Sequence, residues 1–227
     1  MNRRRRFTDA AAALHAVTEL PRGLCDPFVN AFPIDRAAIS TLGDPFGIET
    51  LYASDPTAAR LDEMQIDLGE GPCWEALATQ RPVIEPDLLA PPQAWPVLAE
   101  AAIESGIRAV HAFPLTVGTL RIGAIDLYSD RIGAFTEEEV EEASKLARIA
   151  ATQVLRMALA SRSPDEWDSL SGSYSRREVH QATGMVTAQL GVNVDNALLI
   201  IRGHAYSTGA PVREIAGDIV AGRLDFS

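Results

Sequence analysis

The chain has 227 residues, of which 47% are hydrophobic and 22% charged, with a formal net charge of −11. That length suits one large domain or two modest ones, and the apolar share is enough for a buried core, which excludes general disorder. The negative balance excludes a broadly sticky polyanion binder, and no apolar run approaches the roughly 20 residues a membrane helix needs. The first predicted element is a helix over Thr8 to Glu19, preceded by a frayed basic start at Arg3 to Arg6. Asp9 and His15 interrupt its apolar residues and no cleavage site is evident, so the segment does not read as a signal peptide.

Two strands follow, Ala37 to Leu42 and Ile48 to Ser54, joined by a hairpin loop from Gly43 to Gly47. Asp55 and Pro56 open a helix that runs through Asp62 to Ile66. The glycines and proline of Leu68 to Pro72 make a turn that feeds a short helix containing Cys73 and Trp74. A short strand at Pro82 to Glu85, a loop from Pro86 to Pro92 and a helix from Trp95 to Glu104 come next. Ala109 to Pro114 and Leu120 to Tyr128 form a strand pair that turns at Val117 and Gly118. Segregated antiparallel strands with helices laid on them define an α+β domain.

Thr136 caps a long helix with acids in its first turn. Val140, Ala143, Ala147, Ala150, Val154 and Met157 form one stripe, and Leu146, Ile149 and Gln153 an adjacent one. Two arrangements fit: one stripe packs on the sheet while the other meets a second copy, making a homodimer through residues 136–160, or both stripes are internal. Pro164, Gly172 and five serines mark residues 161–174 as a linker.

The tail reads as three short amphipathic helices. Ser175 and Glu178 have capping-box spacing, and Val179, Ala182, Val186 and Leu190 recur at helical steps until Gly191. Asn193 caps the second helix, whose buried stripe is Ala197, Leu198, Ile201 and Ala205, and Gly209 ends it. Pro211 opens the third, with Ile215, Ala216, Ile219 and Val220 inward. Residues 166–227 hold five arginines against seven acids, so this segment is nearly neutral but not basic.

Motifs for known chemistries are few. Neither a P-loop nor a Gly-x-Ser-x-Gly elbow occurs. Cys25 and Cys73 are too distant in sequence to suggest a framework, which fits a reducing cytoplasm. His15, His111, His180 and His204 lack metal-site spacing. Asp62, Glu63, Glu70 and Glu75 read as a solvated helix face. No catalytic residue, metal or cofactor is assigned. Cys73, near a helix start that would favour its thiolate, keeps a redox sensor open as an alternative, with burial as the default.

Val179, Gln181, Ala182, Gly184, Met185, Ala197, Arg202, Ala205, Ile215 and Ala216 together resemble the ANTAR domain, a three-helix RNA-binding antiterminator module. The succession Leu68 to Pro72, Pro82 to Ile84, Pro86 to Leu88, Trp95-Pro96, Gly106, Phe113 to Leu115 and Ile122 to Leu127 resembles a GAF domain over roughly residues 15–160. It looks most like the subgroup that precedes ANTAR modules in actinobacterial regulators. The resemblance implies an antiparallel-sheet GAF domain (residues 1–160) joined by a long helix and a 161–174 linker to an all-α ANTAR module (175–227). It implies a cytoplasmic transcription antiterminator that binds paired RNA hairpins overlapping a terminator. The cyclic-nucleotide signature of some GAF domains is not apparent, two cysteines fit the methionine sulfoxide reductases of that family poorly, and no receiver domain precedes the tail.

Arg contacts and stacking on unpaired bases are how RNA loops are usually read. The expected RNA contacts are therefore Arg176, Arg177 and His180 on the first tail helix, Arg202, His204 and Tyr206 on the second, and Arg213. A small-molecule pocket is expected between Phe113, Ile122 and Ile125 of the sheet and Cys73, Trp74 and Trp95 above it. A protein-interaction or dimerisation module without RNA binding is the competing reading, favoured by the acidic balance.

Overall fold

The computed structural model describes residues 3–17, 23–90, 94–133, 135–161, 167 and 175–226, in two compact units that divide between residues 174 and 175. The first is built on strands β1 (Arg36–Gly43), β2 (Gly47–Ala53), β3 (Val83–Glu85), β4 (Ala109–Val117) and β5 (Leu120–Ser129), all antiparallel in the order β2-β1-β5-β4-β3. Gly43 and Gly47 bracket the β1–β2 hairpin at positive φ (126° and 80°), which only glycine adopts at low cost. The expected α+β class is what forms.

Among the described residues, helices cover both faces of this sheet. On one lie α1 (Arg3–Ala16), α2 (Asp26–Ala31) and α6 (Glu137–Ala160), and on the other α3 (Pro56–Leu68), α4 (Pro72–Thr79) and α5 (Pro96–Glu104). Helix α1 starts at Arg3, five residues earlier than expected, because α6 supplies counter-charge: Arg3 pairs with Glu138 and Glu142. Helix α2 carries no legible sequence signal. It is one turn and a half long and exists because Phe28 and neighbouring Phe32 bury against the sheet. Asp55 caps α3 by accepting the amide of Ala58 at 2.7 Å.

Helix α6 opens with the full reciprocal box. Thr136 Oγ1 accepts from Glu139 N at 3.2 Å, and the Glu139 carboxylate accepts from Thr136 N at 2.8 Å. Both of its stripes pack within the unit: Ala143, Leu146, Ala147, Ala150, Gln153, Val154 and Met157 are buried, Val140 and Ile149 are half-buried against the same core, and Gln153 Nε2 donates to Leu14 O at 3.0 Å. The dimer seam expected along Val140 to Met157 is thus consumed by the chain's own core. Sheet and α1 flank the helix on two sides, which accounts for two apolar stripes on a 24-residue helix. Of the expected linker, Ser161 and Trp167 are described. Trp167 Nε1 donates to Phe46 O at 3.1 Å. The rest of 161–174 lies outside the described residues, as do Thr18 to Arg22, where the first helix was expected to end, and Pro91 and Pro92 of the expected loop with Gln93 after it.

The second unit contains α7 (Arg177–Leu190), α8 (Val194–Thr208) and α9 (Val212–Val220) around a core of Val179, Ala182, Val186, Ala197, Ile201, Ala205, Val212, Ile215, Ala216 and Ile219. Gly191 and Gly209 end α7 and α8 in the left-handed region, and Asn193 Oδ1 accepts from Asn196 N at 2.8 Å, as expected. The expected capping box does not form. Arg176 is the cap residue, and Ser175 Oγ reaches only the amide of Arg177, at 3.4 Å, which places Glu178 one position short of the reciprocal partner. Leu190 and Val220 are exposed rather than inward, since each sits at the last residue of its helix, where the core has ended.

Candidate functional site

The strand residues expected to wall one pocket fall on opposite faces of the sheet. Phe113 and Ile125 are cross-strand partners and, with Ile122, pack against the α1, α2 and α6 side, while Cys73 and Trp74 lie with α3 and α4, and Trp95 with α5. The two-residue alternation of a strand decides this, so the β5 positions that face α3 and α4 are Ala124, Asp126 and Tyr128. An open hollow of about 370 Å³ between α1 and α2, bordered by Arg6, Asp9, Asp26 and Asn30, includes none of the expected pocket residues.

A buried polar cluster occupies the α3/α4 side. Asp62 and Gln65 project from α3, Ser40 and Thr50 from β1 and β2, and Asp126 and Tyr128 from β5, and all six are buried. Thr50 Oγ1 donates to Asp62 Oδ2 at 2.5 Å. Gln65 is the hub: its Nε2 donates to Asp126 Oδ2 and to Tyr128 OH (3.2 Å), its Oε1 accepts from Cys73 N at 3.0 Å, and its backbone carbonyl accepts from Trp74 Nε1 at 2.9 Å. A side chain at Gly71 would strike the Gln65 amide, so the glycine before α4 lets that amide seal the cluster. Burial, with the Asp62 charge second, pushes the Asp126 carboxyl well above the ordinary range. The Gln65 and Tyr128 hydrogen bonds only partly offset it. Asp126 Oδ1 and Ser40 Oγ have no hydrogen-bond partner among the described residues.

The same environment settles Cys73. Its thiol is fully buried, and burial followed by the Asp126 and Asp62 charges raises its pKa well above the usual value. The helix start that would favour a thiolate is outweighed, and a reactive sensor cysteine needs the opposite on both counts. Asp62 likewise corrects its sequence reading: it is fully buried, not part of a solvated face, whereas Glu70 and Glu75 are exposed.

In the second unit the expected RNA contacts separate. Arg177 and His180 are exposed together on α7, beside Gln181 and Gly184. Tyr206 is 71% exposed on α8, four residues after half-buried Arg202, so the two share a face. Half-buried Arg213 is on α9. Arg176 is only 4% exposed and holds the cap position of α7, so its side chain is not on the surface. His204 is half-buried and packs edge-on against Phe226 at 5.5 Å, away from the Arg202–Tyr206 face.

The GAF domain family matches residues 11–153. The chain belongs to that family. The ANTAR domain matches residues 174–220, which cover α7, α8 and α9. ANTAR is an RNA-binding antiterminator domain, so the chain joins a sensing domain to an RNA-binding one. A search of curated proteins finds no match. Among solved structures, the GAF domain of a phosphoenolpyruvate-protein phosphotransferase from Coxiella burnetii is 18% identical, with a TM-score of 0.54 over 70% of this chain and 96% of that one. The chromophore-binding domain of a bacteriophytochrome from R. palustris is 13% identical (TM-score 0.53, 69% of this chain and 61% of that one). Free methionine-R-sulfoxide reductase from Neisseria meningitidis, in complex with its substrate, is 19% identical (TM-score 0.51, 70% and 92%). At these identities the likeness is one of fold.

Within the GAF unit, sequence reasoning missed Ser40, Thr50, Asp62, Gln65, Asp126 and Tyr128. A signal was there. Asp62 and Gln65 fall on the helical stripe of Ala58, Leu61 and Ile66, and Asp126 sits between Ala124 and Tyr128 on one face of a central strand. Polar residues inside an apolar repeat mark buried polar groups. Among the described residues no single helix is long and apolar enough to cross a membrane.

Proposed function

We propose that this GAF–ANTAR protein is a cytoplasmic transcription antitermination regulator, not an enzyme, whose GAF unit takes a small-molecule signal and whose ANTAR unit binds paired hairpins in nascent RNA that overlap a terminator. The observation that carries the RNA reading is the exposed chemistry of a module matched as ANTAR: Arg177 and His180 on α7, and Tyr206 with Arg202 on α8. Guanidinium groups serve phosphates or base edges, and an exposed aromatic ring serves an unpaired base. Arg213 extends the surface. Because the unit is close to neutral, this binding rests on local placement of charge. A homodimer through residues 136–160 belongs to this reading only by the outer face of α6, where Glu141, Lys145 and Arg148 are exposed.

Hairpin titrations across a salt series test the reading. Arg177→Ala should weaken binding and make the logarithmic salt slope shallower by roughly one. Tyr206→Ala should weaken it with the slope unchanged, by about 1–3 kcal/mol if the ring stacks on a base. Gly184→Ala is the sharpest control. This glycine lies inside α7 with nothing within 4 Å of an added Cβ, so alanine should stabilise the helix by up to about 1 kcal/mol while obstructing an RNA that approaches its backbone. Unchanged affinity in all three folded variants would exclude the proposed surface.

A further inference from the structure

The hollow between α1 and α2 brings charges of both signs to one small space. Arg6, Asp9, Ala10 and Ala13 are three or four residues apart, so they share one face of α1. Asp26 and Asn30, four apart on α2, border the same hollow of about 370 Å³. That volume falls within the range of roughly 300–1,000 Å³ that small-molecule sites occupy. The hollow lies on the α1, α2 and α6 side of the sheet, opposite the Gln65 cluster.

Arg6 gives the reason to expect an anionic group there. Its Nε is buried and has no hydrogen-bond partner among the described residues. Leaving a guanidinium nitrogen dry costs free energy, so it calls for a water or a ligand oxygen. Asp9, three residues on, does not answer it: its ion pair is with Arg5, at 3.9 Å, and both side chains are exposed. An exposed pair contributes little, so Asp9 can turn to a ligand at small cost. Asp26 and Asn30 are exposed on the other wall, while Ala10, Ala13, Val17 and Pro27 make the lining between them small and apolar. A simple anion would meet Arg6 but also two carboxylates. A simple amine would suit the carboxylates but bring a second positive charge to Arg6. A molecule with a carboxylate and an ammonium on one carbon satisfies both signs.

We propose that this hollow binds a free α-amino acid with an apolar side chain. Its carboxylate would lie on Arg6 and the Asn30 amide, its ammonium between Asp9 and Asp26, and its side chain along Ala10, Ala13 and Val17. Occupancy joins α1 to α2. Helix α1 is in turn held on α6, by Arg3 with Glu138 and Glu142 and by Gln153 Nε2 donating to Leu14 O. A ligand that prefers one placement of α1 would therefore bias α6, from which the chain continues toward the ANTAR unit. The proposal deepens the reading of the GAF unit as a small-molecule input and rests on it only for its regulatory meaning.

The test is thermal unfolding of the full chain with L-alanine, L-valine, L-leucine or L-methionine, and with L-glutamate and L-lysine for comparison. At about 10 mM, ten times a Kd near 1 mM, at least one of the first four should raise the Tm of the GAF unit by about 3–6 °C. Titration calorimetry then compares the best binder with the amine that lacks its carboxylate and the acid that lacks its amino group. Each should bind about tenfold more weakly or worse. Arg6→Gln and Asp26→Asn should weaken the amino acid by a similar factor, and both should leave the Tm without ligand unchanged, since neither side chain is in an ion pair among the described residues. No rise with any of the four would overturn the site and leave the hollow to water. So would a rise confined to glutamate or lysine, an amine or acid that binds as tightly as the amino acid, or affinity that survives both substitutions. Hairpin affinity with and without the best binder separates the two ideas. Binding that Arg6→Gln removes, with hairpin affinity the same in its presence and absence, keeps the site and removes it as the regulatory input.

Discussion

His111 shows how one residue of the sheet carries a pH dependence. It faces the α6 side, its ring 4.6 Å from that of Phe135, and burial lowers its pKa to about 4 from 6.5, against weaker upward pulls from Gly133, Val110 and Glu139. An unfolded chain takes up this proton as pH falls through 6.5, and the folded chain does not until about 4. Stability is therefore present above 6.5 and lost on going down to 4, by at most about 3 kcal/mol. His111→Gln should flatten that acid limb in urea titrations at pH 7 and pH 4.5, and a wild-type difference no larger than the variant's would disprove the assignment. Gly123 makes the opposite point. An added Cβ there would lie 1.8 Å from the Ser40 carbonyl oxygen, so the glycine is required by backbone approach rather than by its φ. Nothing in the local sequence distinguishes it from Gly184, where the space is open.

Among the elements, α6 teaches most about what periodicity can and cannot say. Its two stripes, its cap and its length are all legible, because the 3.6-residue repeat and the Thr136–Glu139 pair are local. Which surface each stripe meets is not local. Ala150 proves to be fully buried in its own unit, so Ala150→Glu is expected to unfold the GAF unit rather than to separate a pair of intact copies. Circular dichroism and sedimentation together decide this, and a folded monomeric variant of a dimeric wild type would restore the seam. The tail helices are legible almost completely, since Gly191, Asn193 and Gly209 act where they stand. Ser175 fails as a cap because a helix starts where its first turn can pack, and that turn begins two residues later.

At the scale of the whole molecule there are two compact units with separate cores: one of sheet and helices, the other of α7, α8 and α9. Cores that share no residues can melt independently. Calorimetry is therefore expected to resolve two transitions. Asn193→Ala, which removes the cap of α8 at a cost of about 1 kcal/mol, should lower only one of them, and His111→Gln at low pH should move only the other. A single transition shifted by both variants would show the units to be coupled.

The amino-acid sequence by itself determined the two-domain organisation and the order of the strands and of every described helix but α2, because caps, turns and periodicity are properties of short segments, while ordered motifs carried the resemblance of each domain to its family. It placed Arg177, His180 and Tyr206 on exposed faces for the same reason, since a residue's place on a helix follows from its spacing to the apolar stripe, but it did not show that Arg176 is buried at the cap of α7 or that His204 packs on Phe226. Tertiary structure alone decided what lies together beneath α3. Asp62, Gln65 and Asp126 come from elements up to 64 positions apart, and only the sheet register and the packing of α3 across it bring them into one buried cluster. It also decided that Phe113 and Cys73 lie on opposite sides of the sheet, since the side a strand residue faces depends on which face each helix covers.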